Sequence, residues 1–97
     1  MNKDLAKYPP LGWNSWDCFG AGVTEKQLIE NANYMAENLK DFGWEYVVCD
    51  IQWYEGDAVD NDYNNFAHLE MDEFGRLMPS PKRFPSAANG VGFKKIA

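Results

Sequence analysis

The stretch YVVCDIQW, from Tyr46 to Trp53, decides the fold and most of the predicted site. Val47 and Val48 are β-branched residues typical of a buried strand, and Ile51 continues that pattern. The run then ends in polar and aromatic side chains. In parallel α/β sheets, ligand-binding side chains lie at the carboxyl ends of strands, because packed aliphatic residues fill the interior. The stretch therefore predicts a buried strand with a ligand site at its carboxyl end.

Asp50 is the charged residue at that strand end. One interpretation is that its carboxylate binds a ligand beside Trp53. The other is that it only caps a turn after the strand, and a lone aspartate at a strand end leaves both open. Its aromatic and amide neighbours favour the ligand.

A shorter strand is predicted earlier in the chain, from Leu11 to Trp16, and a glycine-containing loop follows it. Loops at strand ends are common positions for binding residues. We interpret Trp13 as a core residue and Trp16 as the better candidate for the site. Two tryptophans this close could also both belong to the core.

The segment from Thr24 to Phe42 is predicted to be a helix. Thr24 and Gln27 have the spacing of a capping box, and Gly43 lies where a C-terminal cap belongs. Apolar residues recur every three or four positions and predict one buried stripe, formed by Leu28, Ala32, Met35, Leu39 and Phe42. Strand, helix and strand in this order predict a βαβ unit with parallel strands and a right-handed crossover.

The regular alternation stops after Trp53. The acidic segment from Tyr54 to Phe66 lacks the spacing of a calcium loop, so we expect a solvated loop. A hairpin is predicted from His68 to Met78, followed by a proline-stiffened connection. Residues 93–97 resemble the first turns of a helix without a closing cap, so the chain is expected to end inside an element.

Composition limits the function classes. The chain has 97 residues, 15% of them aromatic, and a net charge of −6. The acidic balance argues against nucleic acid and anionic membranes as partners, and no run is long enough to span a membrane. The start of the sequence has no apolar signal region, which favours the cytoplasm, although a secreted location stays open. Cys18 and Cys49 lack a metal-type spacing and are expected to be free thiols.

Three tracts together resemble the amino-terminal part of family 27 glycoside hydrolases, the α-galactosidase or melibiase group, which shares a clan with family 36. They are PPLGWNSWDCFG, VVCDIQW and DEFGRLMPSPKRFPSAANGVGFKKIA, and they cover almost the whole chain. The resemblance implies an α/β fold made of the first βα units of a (β/α)8 TIM barrel. The chain, residues 1–97, would be an amino-terminal fragment of the catalytic domain, truncated within the helix that follows the long loop and hairpin after strand 2. A complete barrel has about 250 residues.

The resemblance also implies a function and a set of site residues. Members remove terminal α-linked galactose, or a related pyranose, from oligosaccharides or glycoconjugates with retention, and they need no metal or other cofactor. By position, Trp16, Asp50 and Trp53 are implied to bind the substrate. The family usually has a second aspartate directly after the first, and Ile51 replaces it here, so the sugar that is recognised stays open.

Catalysis is expected to need residues outside this chain. Retaining hydrolysis uses two carboxyl groups about 5 to 5.5 Å apart, and no residue here matches either family motif, so no catalytic residue is assigned. The isolated chain is expected to be inactive, and its uncovered strand edges predict self-association. The alternatives are a self-contained carbohydrate-binding module and a structural fragment that binds no ligand.

Overall fold

The computed structural model describes residues 4–59 and 64–97, and its centre is a two-stranded parallel sheet. Strand β1 spans Leu11–Asn14 and strand β2 spans Trp44–Val48. Asn14 is the partner of Val48, so the carboxyl ends of both strands lie at one edge of the sheet. The predicted parallel strand–helix–strand order is therefore confirmed.

Strand β2 begins two residues earlier than predicted and ends before Asp50. Ile51 lies in the turn that follows and is 40% exposed, so its assignment to the buried strand is wrong. The prediction that Val47 and Val48 are buried is also wrong, since every residue of β2 is exposed. The physical reason is that a sheet of two strands has no neighbour on the outer edge of β2.

Four helical segments separate the two strands. Helix α1, Trp16–Phe19, is a single turn, and helix α2, Glu25–Asn38, is the long helix of the chain. Two 3-10 turns, Gly20–Gly22 and Lys40–Phe42, follow α1 and α2 respectively.

The start of α2 follows the predicted capping pattern. The Gln27 backbone N–H donates to Thr24 Oγ1 at 3.3 Å, and the Thr24 N–H donates to Gln27 Oε1 at 3.0 Å. The other end differs from the prediction, because α2 stops at Asn38 and Gly43, with a left-handed φ of 92°, caps the 3-10 turn Lys40–Phe42 that follows. The prediction fails at Phe42, which is 76% exposed. The helix tightens into a 3-10 turn before this residue, which rotates Phe42 away from the buried stripe.

The hydrophobic core connects α2 to the carboxyl-terminal part of the chain. Val23, Leu28, Phe84 and Ala87 form its buried centre. Several partly buried residues pack around it: Trp13, Phe19, Cys49, Trp53, Phe93 and Ile96. The predicted core position of Trp13 is thereby confirmed.

An open apolar groove of about 650 Å³ lies between α2, β2 and the last residues of the chain. We call it the apolar groove. Its apolar lining consists of Leu28, Ile29, Ala32, Val47, Val48, Cys49, Phe93, Ile96 and Ala97.

The predicted hairpin is present in a short form. Met71 and Leu77 make an antiparallel bridge, and the Met78 N–H donates to the Glu70 carbonyl at 2.8 Å. Near the end of the chain, Pro85–Ala87 and Gly92–Lys95 form 3-10 turns in place of the predicted α-helical start. Part of the predicted acidic loop, residues 60–63, lies outside the described residues. Within the described ranges, no helix has both the length and the apolar character needed to cross a membrane.

Candidate functional site

Ser15 connects the carboxyl ends of the two strands. Its N–H donates to the Val48 carbonyl at 3.0 Å, and its Oγ accepts from the Asp50 N–H at 3.0 Å. Ser15 has no exposed surface, so water does not compete for either bond. These two bonds hold the backbone of Asp50 beside the start of α1, which Trp16 begins. Trp16 and Asp50 therefore follow neighbouring strand ends, as the sequence predicts.

Trp16 owes its position to the turn that ends β1. The Asn14 side chain accepts a hydrogen bond from the Trp16 N–H at 2.8 Å. Asparagine favours such turns because its side chain can replace a backbone acceptor. The Trp16 residue is half-buried, so part of its surface remains accessible to solvent.

The Asp50 side chain does not cap a turn. Among residues 4–59 and 64–97, no hydrogen-bond donor contacts its carboxylate, although its backbone N–H is bound to Ser15. A turn cap would require that carboxylate to accept a nearby backbone N–H. The half-buried carboxylate therefore has its acceptor capacity available for a ligand.

Trp53 has different surroundings. Its indole packs against the core, with its ring centroid 5.5 Å from that of Phe93 and 5.4 Å from that of Tyr54. Both contacts are edge-to-face and hold the ring in place. The residue remains half-buried, and its role in substrate binding stays a prediction.

Sequence reasoning missed a buried arginine that contacts the loops after both strands. Arg83 Nη1 donates to the carbonyls of Ala21, at 2.6 Å, and Val23, at 2.8 Å. Arg83 Nε donates to the Glu55 carbonyl at 3.0 Å, and Nη2 donates to the Gln52 carbonyl. Burial lowers the pKa of Arg83, while Cys49 and Glu55 act in the opposite direction. The only sequence sign of this role is a single arginine inside the tract PSPKRFP.

Two polar side chains order the loop after β2. Gln52 is buried with a left-handed φ of 63°, and its amide makes hydrogen bonds of 2.6 and 2.7 Å with the backbone of Asn64. Glu55 is also buried and accepts from the backbone N–H groups of Asp57 and His68. The expectation of a solvated loop is therefore wrong at Glu55. We call Ser15, Gln52, Glu55 and Arg83 the carboxyl-end network.

Cys49 lies between strand β2 and Asp50. Burial raises the pKa of the Cys49 thiol to about 11; nearby Arg83 lowers it and Asp50 raises it further. Both cysteines are free, as the sequence predicts, and Cys18 is exposed. In the part of the chain that the structure describes, no group of three or more His, Cys, Asp or Glu residues is placed to hold a metal ion.

Several known proteins resemble this chain in sequence or in structure. No family profile matches this sequence. Alpha-galactosidase A of Cellvibrio japonicus is 35% identical over 90 residues, covering 92% of this chain and 19% of that protein. The protein named Probable alpha-galactosidase B of Penicillium simplicissimum is 36% identical over 93 residues, covering 94% of this chain and 19% of that protein.

A solved structure is more similar still. The GH27 β-L-arabinopyranosidase of Geobacillus stearothermophilus is 63% identical, with a TM-score of 0.91, over 95% of this chain and 21% of that one. This chain thus spans about a fifth of the length of each of these relatives. It belongs to glycoside hydrolase family 27 and corresponds to the amino-terminal part of its members.

Proposed function

We propose that the protein containing this chain is a retaining glycosidase with a (β/α)8 barrel, and that residues 1–97 are the amino-terminal part of its catalytic domain. Its substrate is a terminal α-linked galactose, or a related pyranose, on an oligosaccharide or glycoconjugate. The observation that carries this proposal is the Asp50 carboxylate, which has no hydrogen-bond donor among the described residues. Asp50 follows β2, and Trp16 follows the neighbouring strand β1.

The two side chains offer complementary chemistry. An indole presents an apolar face to the C–H side of a pyranose, and a carboxylate accepts hydrogen bonds from its hydroxyl groups. Ser15 fixes the Asp50 backbone, so little order has to be imposed on that part of the site when the sugar binds. Trp53 is proposed as a third contact from the same loop.

Ile51 favours a pyranose with fewer hydroxyl groups. It stands where the family usually has a second aspartate, so one hydrogen-bond acceptor is missing beside Asp50. L-Arabinopyranose lacks the hydroxymethyl group of galactopyranose. It would therefore lose fewer hydrogen bonds than galactose where the second aspartate is replaced by Ile51. The protein that is 63% identical is named a β-L-arabinopyranosidase, which supports this preference.

The catalytic carboxylates are proposed to lie in the rest of the barrel. Retaining hydrolysis needs two carboxyl groups about 5 to 5.5 Å apart. Glu55 already accepts two backbone hydrogen bonds and serves the loop. The isolated chain would therefore bind part of a sugar without cleaving it.

Asp50→Asn in the full-length protein tests the site. The change keeps the shape and removes the charge, so KM should rise about 10- to 100-fold with little change in Tm, because a charged hydrogen bond contributes about 1.5–3 kcal/mol. The substrates are aryl α-galactopyranoside and aryl β-L-arabinopyranoside. Asp17→Asn is the matched control, since Asp17 is an exposed aspartate beside Trp16.

Two results would contradict the proposal in different ways. If Asp50→Asn lowers Tm and leaves KM unchanged, Asp50 serves the fold and the site assignment fails. If the wild-type protein cleaves neither aryl glycoside, the proposed substrate class is wrong.

A further inference from the structure

Arg83 is a buried cation whose charge is met by peptide carbonyl groups. Only 7% of the residue is exposed, and within residues 4–59 and 64–97 it makes no salt bridge with a carboxylate. Its acceptors belong to two separate segments of the chain. Ala21 and Val23 follow β1, whereas Gln52 and Glu55 follow β2.

We propose that Arg83 is a positioning residue for the sugar site. One rigid, planar guanidinium fixes the distance between the segment after β1, which contains Trp16, and the loop after β2, which contains Asp50. This inference rests on the proposed function, since it assigns those two loops to one ligand. Arg83 itself contacts neither the sugar nor the reacting atoms in this proposal.

The guanidinium group suits this task and an ammonium group does not. Arginine presents five N–H donors in a fixed plane, and three of its nitrogen atoms are used here. Lysine has three donors on a single nitrogen and cannot contact both loops from the same positions. Arg83→Lys would keep the charge and lose part of the bridge.

The bridge acts on Asp50 through Gln52. The Gln52 carbonyl accepts from Arg83 two residues after Asp50, and the left-handed φ of Gln52 sets the direction in which the chain leaves the strand. Ser15 holds the backbone of Asp50 itself. Asp50 is thus fixed on both sides, and Arg83 supplies one of the two constraints.

The bridge acts on Trp16 through the short segment that follows it. The Phe19 N–H donates to the Ser15 carbonyl at 2.9 Å, which closes the single turn of α1. The chain then reaches Ala21, whose carbonyl binds Arg83, within two residues. A shift of Ala21 is therefore passed directly to the turn that carries the indole.

The test compares Arg83→Lys with Arg76→Lys in the full-length protein. Arg76 is the matched control because its side chain is 73% exposed and pairs with Asp72 within the hairpin. Arg83→Lys should raise KM for the cleaved aryl glycoside about 10-fold or more and change kcat less, since small displacements in a site are costly. Arg76→Lys should leave both constants unchanged.

Hydrogen exchange provides a second measurement that does not depend on turnover. In Arg83→Lys the amides of residues 16–23 and 50–57 should exchange faster, while those of α2 keep their protection. If wild-type protein cleaves no glycoside but this paired change occurs, the proposed function fails, and what stands is that Arg83 holds the two segments together. Uniformly faster exchange would overturn the positioning role. So would an unchanged KM measured at a temperature well below the Tm of the variant.

Gln52→Gly keeps the test decisive if Arg83→Lys does not fold. Glycine accepts the left-handed φ without strain and keeps the carbonyl that binds Arg83, but it removes the two side-chain bonds to Asn64, so the fold should survive while the segment between the Arg83 bond and Asp50 loosens. KM should again rise. An unchanged KM in this variant would count against the proposal.

Discussion

The carboxyl-end network follows the ends of both strands, whereas the apolar groove lies between α2, β2 and the last residues of the chain. The two regions differ in how far the described residues pair or cover their side chains. In the described part of the chain, every buried side-chain nitrogen and oxygen atom has a hydrogen-bond partner. The groove, in contrast, leaves Val47 and Val48 of β2 and Ile29 of α2 exposed. The described residues therefore satisfy the buried polar groups at the strand ends but leave the apolar groove uncovered, and the proposed barrel would supply that cover.

The largest effect is expected from Gly12→Ala, which would disturb both regions at once. A Cβ atom on Gly12 would lie 2.3 Å from the Tyr46 carbonyl oxygen and 2.7 Å from the Tyr46 Cβ, so the strands would have to separate. Overpacking of this kind typically costs about 1–3 kcal/mol. Thermal and denaturant unfolding of the full-length protein measure the loss.

Gly90→Ala is the control for this first prediction. Gly90 has a φ of 76° with no atom within 4 Å of the added Cβ, so only backbone strain is introduced, worth about 1 kcal/mol. Equal losses of stability in both variants would show that the close approach of the strands at Gly12 is unimportant.

A smaller effect is expected from making the apolar groove polar. Ile29→Gln and Val47→Thr together should weaken the self-association expected of the isolated chain, because apolar area is removed from the contact. Sedimentation velocity over a range of concentrations measures this. Tyr34→Gln is the control, since Tyr34 is exposed on α2 outside the groove. If Tyr34→Gln has the larger effect, the groove is not the surface involved.

The smallest effect is expected at Cys49, which lies between the apolar groove and Asp50. In the native protein at pH 8, a thiol reagent should modify exposed Cys18 and spare Cys49, whose pKa is about 11. An unfolded cysteine ionises near 9.0, so this group stabilises the fold below pH 9 and the contribution is lost as the pH rises through 11. Mass spectrometry of labelled peptides decides this, and fast modification of Cys49 at pH 8 would contradict it.

Local patterns in the sequence predicted the framework well. The Thr24 capping box and the spacing of Leu28 and Met35 depend on neighbours three or four residues away, and both are present. Phe42 was mispredicted because a change from α-helix to a 3-10 turn leaves no mark on the apolar spacing. The exposure of β2 was mispredicted because the burial of a strand depends on its neighbours, and the sheet formed by the described residues has only two strands.

The predicted site was incomplete for a different reason. Asp50 and Trp16 could be found because they follow recognisable strands. Arg83 could not, since its partners are backbone carbonyls, which every residue has and no sequence pattern marks. Ser15 was missed similarly, as an ordinary small residue between two tryptophans.

The bridge made by Arg83 also sets the order in which the sheet and the binding loops form while the chain is synthesised. Its bonds to Ala21 and Val23 join residues 62 and 60 positions apart, whereas the sheet is complete once Val48 is available. Long-range contacts form late because the intervening chain must first be closed into a loop. At about 5–20 residues per second, a ribosome exposes Arg83 on the order of seconds after β2. We therefore expect a nascent chain with a paired sheet and still unfixed binding loops, which become ordered when the arginine reaches them.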